Sequence, residues 1–374
     1  MKNARFTVLA ALILLALTIP LANARSWDEN QGKDNSNRTT GAVYIMTNDP
    51  AGNQVTRYDR ASDGSLSFSG KFSTGGLGAT GLAGSNQGGL ILSSNGGTVL
   101  VVNAGSNDIS IFQVDQKILS LTDRTSSNGI MPISLTINDR LIYVLNSGGA
   151  SGKGNIAGYM LDKEGELSPI AGSVQPLSGI TAPAQISFNP EGTVLVVTEK
   201  STSIIDTFTV NMHGVASAPI NHASSGNTPF GFAFNNRGTL IVSEAAGGAL
   251  SSYTVSSSGS LTTISGSVPD NQLAPCWVVV TKNSKYAYTT NAHSGTISSY
   301  AVDRNGVIHL LQSIAATTGS GDIDMALTGN SGYLYVSIIS SHSIQGYRVY
   351  HDGSLSWVTT ITGIPVGADG LAAN

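Results

Sequence analysis

From residue 43 onward the chain alternates short apolar runs with clusters of Gly, Asn, Asp and Ser. Val43-Tyr-Ile-Met46, Val99-Leu-Val-Val102, Leu141-Ile-Tyr-Val144, Val194-Leu-Val-Val197, Leu240-Ile-Val242, Tyr286-Ala-Tyr288 and Tyr333-Leu-Tyr-Val336 are rich in β-branched and aromatic residues. Runs this short, bounded by turn formers, predict strands and not helices. Five further runs precede five of these: Ile133–Ile137, Ala184–Phe188, Phe230–Phe234, Cys276–Val280 and Ile323–Leu327. Turn signals such as Asn-Pro-Glu-Gly (189–192) and Asn-Asn-Arg-Gly (235–238) link two such pairs. After each second run an aromatic is followed six positions later by Gly, as in Tyr58/Gly64, Tyr159/Gly165, Phe208/Gly214, Tyr253/Gly259, Tyr300/Gly306 and Tyr347/Gly353. Asp-Gly or Asn-Gly between apolar runs marks a tight hairpin, because Gly takes a positive φ without steric cost. A seventh copy starts at Phe112 and is one residue short before Ile118.

Successive aromatics of this motif lie 54, 47, 49, 45, 47 and 47 residues apart. A repeat near 50 residues with four strands is a propeller blade. The chain therefore reads as all-β: a seven-bladed β-propeller of four-stranded blades. The first repeat opens at its second strand, and Ala368-Asp-Gly-Leu-Ala-Ala-Asn374 reads as an innermost strand with no successor. The C-terminal strand is expected to complete the first blade and close the ring. Residues 41–374 are expected to form this single domain.

The first residues follow a different pattern. Lys2 and Arg5 precede an apolar stretch from Phe6 to Ile19, then Pro20 and Ala22-Asn23-Ala24. This fits a signal peptide over 1–24, too short in its apolar part for a comfortable membrane span. Residues 25–40 are polar and read as a flexible leader. The expected location is secreted, periplasmic or otherwise extracytoplasmic, with association to a cell surface left open. No later stretch is long and apolar enough to span a bilayer.

Charged residues make up only 11% of the chain, against 40% hydrophobic residues and 44 glycines. That excludes a disordered polyelectrolyte and a coiled coil. A net charge of −4 with no basic run argues against nucleic acid as a partner. Cys276 is the one cysteine, so no intramolecular disulfide or Cys-based metal site can form. A monomer held by its core and topology is expected.

The aromatic–Asp-Gly–Leu hairpin, the Gly-x-x-Leu-x-Val strand and the seven-fold count resemble the seven-bladed lactonase-like propeller family. That family includes the bacterial 6-phosphogluconolactonase of this fold and the fungal carboxymuconate-lactonising enzyme. It is related to surface propellers with Tyr-Val-Thr-Asn repeats. The resemblance implies a cofactor-independent lactone hydrolase or lactonising enzyme. It also implies basic residues and a carboxylate around the central funnel, with innermost strands opening as Pro-Arg-His or Pro-His-x-His. Here those positions read Pro183-Ala184-Gln185 and Pro229-Phe230-Gly231.

The carboxylates are Glu199 and Glu244, which end equivalent second strands. The end of a second strand and the start of an innermost strand share one mouth of a propeller. That reasoning places Glu199 and Glu244 there as catalytic base and acid, since neighbouring carboxylates drive one pKa up. Lys200, Asn103, Asn146, Asn291, His293 and Gln185 are expected around them as ligand-binding groups. Asp322 and Asp324, two apart on a strand, are aimed the same way. Asp324 is a second candidate, for a cation or for structural hydrogen bonds. A divalent cation in the channel is the one cofactor left open. Trp277 reads as the channel floor or as packing between blades, and Cys276 as a small buried residue. The alternative to catalysis is a propeller whose mouth binds a small ligand, a cation or a surface protein. The string Gly76-Leu-Gly-Ala-Thr-Gly81 lacks a following helix and reads as a glycine loop.

Overall fold

The structure, a computed structural model, describes residues 39–81 and 87–374. The signal-peptide reading and most of the leader fall outside the described residues. The leader reading ends too late, however, because Thr39 and Thr40 already belong to the strand Thr39–Met46.

Seven antiparallel sheets follow one another along the chain. The innermost strands are Asp369–Ala373 in blade 1, Leu90–Leu92 in blade 2 and Pro132–Asn138 in blade 3. Blades 4 to 7 have Pro183–Phe188, Pro229–Phe234, Pro275–Val280 and Asp322–Leu327. Each innermost strand packs against those of its two neighbours, and the series returns from blade 7 to blade 1. Four of these strands open with proline. Proline has no N–H to give, so it suits a strand's first residue. The second strands are buried on both faces, as the fully buried Val194–Glu199 and Thr239–Glu244 illustrate. Blade 3 departs from the pattern, with its outermost strand split into Leu167–Pro169 and Gln175–Ile180.

Two faces result. The upper face carries the loops between second and third strands and the connectors that lead into each next blade. The lower face carries the inner turns and the outer hairpins. Each outer hairpin docks on the preceding blade through one carbonyl. Gly64 accepts from the Tyr335 hydroxyl at 2.7 Å, Gly214 from Tyr143 at 2.7 Å and Gly353 from Tyr288 at 2.9 Å. Gly165, Gly259 and Gly306 accept from Thr122, Thr207 and Ser252 at 2.9, 2.6 and 2.8 Å. Gly64 has φ 88°, and a Cβ there would lie 2.3 Å from the Tyr333 ring. Both turn and docking therefore require glycine at this position. In blade 2, where the hairpin is one residue short, Gln116 takes the tip with φ 51°. Its carbonyl accepts from the Arg57 guanidinium instead.

The closing strand is bonded on both sides. It pairs with Thr39–Met46 from Val43↔Ala373 to Met46↔Asp369. Ala42 and Asn374 exchange two further bonds, of 2.6 and 3.0 Å. From blade 7, Asp324 accepts from the Leu371 N–H at 2.6 Å. Deleting residues 368–374 strips blade 1 of its inner edge and leaves Asp324 buried without that donor. The truncated chain should melt at least 10 °C lower by circular dichroism, a drop of roughly the size expected for several lost kcal/mol in a domain this large. An unchanged melting curve would count against closure by this strand.

Candidate functional site

The seven second strands end at Met46, Asn103, Asn146, Glu199, Glu244, Asn291 and Ile338. None of the five candidate residues among them reaches solvent: Asn103, Asn146, Glu199, Glu244 and Asn291 are each 0% exposed. Each is spent on hydrogen bonds inside the fold. Asn103 donates to Asp108 and Ser110, both at 2.7 Å, and Asn291 donates to Thr296 and Ser298 at 3.1 and 2.8 Å. Asn146 ties Ser127 to Asn155 at 3.0 and 2.8 Å. Glu244 accepts from Ser251 and, at 2.6 Å, from Ser267. Glu199 accepts from the Ser178 and Thr202 hydroxyls at 2.6 and 2.7 Å. The two glutamates share no partner, so the expected catalytic pair at one mouth is not what the geometry presents. Asn103, Glu244 and Asn291 are held in place by hydroxyls of the next strand in their own blades.

Those hydroxyls follow a rule visible only with the structure in hand. Ser110, Ser251 and Ser298 each stand seven residues after the strand-end Asn or Glu they bind. In blade 4 the seventh residue is Asp206, so Glu199 faces a second buried carboxyl. Burial first, and then the hydrogen bond and charge of Glu199, push the Asp206 carboxyl up to about 8. The pair keeps one proton between them near neutral pH. Asn221 donates to the other Asp206 oxygen at 2.5 Å. Asp206 was missed in the sequence, although the seven-residue spacing would have disclosed it.

Lys200 takes a different course. Its ammonium lies 4.7 Å from the centroid of the Phe230 ring, at the start of blade 5's innermost strand. No carboxylate pairs with it among the described residues. Burial pulls it below the usual lysine range, offset in part by the neighbouring Cys276. Phe230, Cys276, Ala184 and Ile323 each stand second in their innermost strands and belong to one apolar cluster. Trp277 packs on Phe230 at 5.2 Å and is fully buried. The upper mouth is thus an apolar floor with one desolvated ammonium.

Below that floor the axis is crossed by amides. Gln87 of blade 2 reaches the Val278 carbonyl of blade 6 at 3.2 Å. Gln185 exchanges two bonds with the Phe232 backbone, at 3.0 and 2.7 Å, joining blades 4 and 5. Asp324 joins blade 7 to the closing strand, and burial together with Asp369 raises its pKa. Gln87, Gln185 and Asp324 line a cavity of about 280 Å³ together with Leu90, Met325 and Leu371. Gln185 and Asp324 therefore stand apart from Lys200. His293 lies exposed in the loop after Asn291. Among the described residues no group of three or more His, Cys, Asp or Glu is arranged to hold a metal ion.

The family model for the seven-bladed β-propeller lactonases matches residues 41–176 and 242–324, more than half of the chain. The chain belongs to this lactonase propeller family. Solved structures of the same fold include a candidate 6-phosphogluconolactonase from Bacteroides fragilis. It is 20% identical, with a TM-score of 0.71 over 91% of this chain and 100% of that one. A similar protein from Bacteroides uniformis gives 19% and 0.71, over 89% and 99%. The periplasmic gluconolactonase of Pseudomonas aeruginosa gives 14% and 0.68, over 88% and 98%. No curated protein matches the chain. At these identities the likeness is one of fold. At the two innermost-strand starts where the resemblance implied Arg and His, the chain has Ala184 and Phe230.

The Glu199–Asp206 proton makes a stability prediction with a definite sign. The folded chain holds a proton on Asp206 up to about pH 8, whereas the unfolded chain releases it near 4. The pair's contribution is therefore full below pH 4 and is lost as pH rises through 8. Asp270, which burial pushes up to about 6, acts in the same direction. The melting temperature should fall by several degrees between pH 5 and pH 8. Asp206→Ser, which installs the residue of blades 2, 5 and 6, should reduce that fall. Identical pH slopes for the two proteins would show that the pair carries no shared proton.

Proposed function

We propose that this propeller opens small lactones at its upper mouth, with Lys200 as the group that meets the reacting carbonyl. The observation that carries this reading is the Lys200 ammonium: half-buried, 4.7 Å over Phe230, and without a carboxylate partner among the described residues. A cation held this way gains most from an incoming oxygen that carries partial or full negative charge. Membership of the lactonase family supports the choice of a cyclic ester.

The chemistry follows from the depressed lysine. A larger share of Lys200 is neutral near pH 8 than for a lysine in water. The neutral amine takes a proton from the water that attacks the lactone carbonyl carbon. The resulting ammonium then stands beside the oxyanion it helped to create. As the ring C–O bond breaks, the same ammonium returns its proton to the leaving alkoxide, and a hydroxy acid departs. Glu199 takes no direct part; anchored by Ser178 and Thr202, it fixes the strand end from which Lys200 projects.

Binding without turnover is the second reading. It is favoured by the burial of Glu199 and Glu244, which leaves no strand-end carboxylate facing a bound water. Export belongs to the same picture, supported by Lys2, Arg5, the apolar stretch to Ile19 and Ala22-Asn23-Ala24. N-terminal sequencing of the protein from its native host should begin at or within two residues of Arg25, and an intact Met1 would reject export by this route.

Lys200→Met keeps the stem and removes the amine. It should lower kcat/KM on lactones by about 100-fold or more, the scale of a lost general base. Lys200→Arg should keep KM within a few-fold while losing kcat, because guanidinium cannot serve as base. In the wild type kcat/KM should rise with pH through a lysine titration below 10.5. Saturable lactone binding with no ring opening, lost in Lys200→Met, would establish the second reading. Full activity in Lys200→Met would remove Lys200 from the site.

A further inference from the structure

The segments between strands on the upper face are nearly free of charge. Across the seven loops and seven connectors, Lys200 is the one Lys or Arg, and Asp49 and Asp270 are the carboxylates. Asp270 is itself fully buried. A phosphate monoester needs several cationic or N–H donors, most often a bidentate arginine. Its loops and connectors carry no arginine, and Arg124, reaching up from the outermost strand of blade 2, is already engaged by the Gly75 carbonyl and Asp108.

The upper face offers aliphatic surface instead. Ile130 and Leu273 each stand two residues before the proline that opens an innermost strand, and they are 54% and 65% exposed. Ile180, three residues before Pro183, is 70% exposed, and Val366 on the closing connector is 78% exposed. Backbone bonds fix these residues on the upper face: Ile130 accepts from Gly148, and Leu273 donates to Ser294, both partners being in upper-face loops. Three residues span at most about 11 Å, so Leu273 stands near Cys276 in the floor formed by Ala184, Phe230, Cys276 and Ile323. The rim at Ile180 and Leu273 and the floor at Ala184, Phe230, Cys276 and Ile323 are therefore apolar, with Lys200 over the floor and Lys153, the register partner of Ile180, exposed at the start of blade 3's third strand.

We propose that the lactone this mouth accepts is neutral and carries an aliphatic chain, with its ring carbonyl at Lys200 and its chain along the Ile180 and Leu273 rim. This rests on the lactonase reading and narrows its substrate class away from phosphorylated and polyhydroxylated lactones. Covering exposed branched side chains with a ligand's methylenes removes apolar surface of both from water.

The test is a series of γ-lactones from butyrolactone to dodecalactone, with 6-phosphogluconolactone and gluconolactone alongside, using the full-length protein. We expect kcat/KM to rise about two- to fourfold for each added methylene, the range for half to complete burial of a CH₂. The phosphorylated lactone should be the poorest substrate. In the double variant Ile180→Ser, Leu273→Ser the rise with chain length should flatten. Both side chains are mostly in water, so folding should survive. Ile118→Ser, exposed on the outermost strand of blade 2, should leave the rise unchanged. Opening of the polar lactones with a flat or falling alkyl series overturns the substrate class and keeps the lactonase. Failure to open any lactone overturns both. A double variant with the wild-type slope overturns the rim assignment.

Discussion

One carbonyl at the tip of each outer hairpin, taken up by a donor from the blade before it, fixes the geometry on which everything else rests. Sheets packed face to face slide easily, because dispersion and apolar burial have no direction. A buried carbonyl does have direction, and it cannot be left without a donor cheaply. The hydroxyls of Tyr335, Tyr143 and Tyr288 reach over the neighbouring sheet to satisfy Gly64, Gly214 and Gly353, so each blade is indexed on its predecessor. Blade 2 shows the constraint acting when the sequence varies. The hairpin loses a residue and its glycine, yet the Gln116 carbonyl still finds a donor in Arg57, while Lys117 pairs with Asp59 at 2.5 Å.

With the lower face indexed in this way, the upper face can vary. Its loops and connectors are short and rich in Gly and Ser. They hang on strand ends that are themselves held by the buried hydrogen bonds of Asn103, Asn146, Glu199, Glu244 and Asn291. These side chains set the mouth's frame and leave its chemistry to the residues that follow them. Lys200 comes directly after Glu199, and its position over Phe230 depends on the anchoring of that carboxylate.

Architecture was legible in the sequence because it is repeated. Seven hairpins at similar spacing specify seven blades, and the orphan segment before Asn374 specifies how the first is completed. The site was less legible because a strand end has two directions to choose from. Alternation along a strand separates its two faces, but at Glu199 and Glu244 both faces are buried, so periodicity carries no preference for the channel. The choice is made by partners distant in sequence, such as Ser178 and Ser267, or seven residues on, as for Ser251 and Asp206. Gln185 and Asp324 were similarly ambiguous: each is polar on an innermost strand, and each is consumed by a backbone group of the adjacent blade. Lys200 was legible as the lone basic residue of the region. What it faces, an aromatic ring and a thiol, could be seen only once blades 4, 5 and 6 were brought together.

Closure of the ring by residues 369–373 has a consequence in time as well as in space. Ala42 and Asn374 are bonded across 332 positions of sequence, so almost the whole polypeptide must exist before that contact can form. The entropy of closing so large a loop grows only logarithmically with length, but the wait for the last strand is set by synthesis. Until then blade 1 presents the unpaired edge of Thr39–Met46, a flat template open to strands of other molecules. The nascent chain is therefore an arc with one adhesive end, and its vulnerability to misassembly lasts until residues 369–373 have been made and have docked.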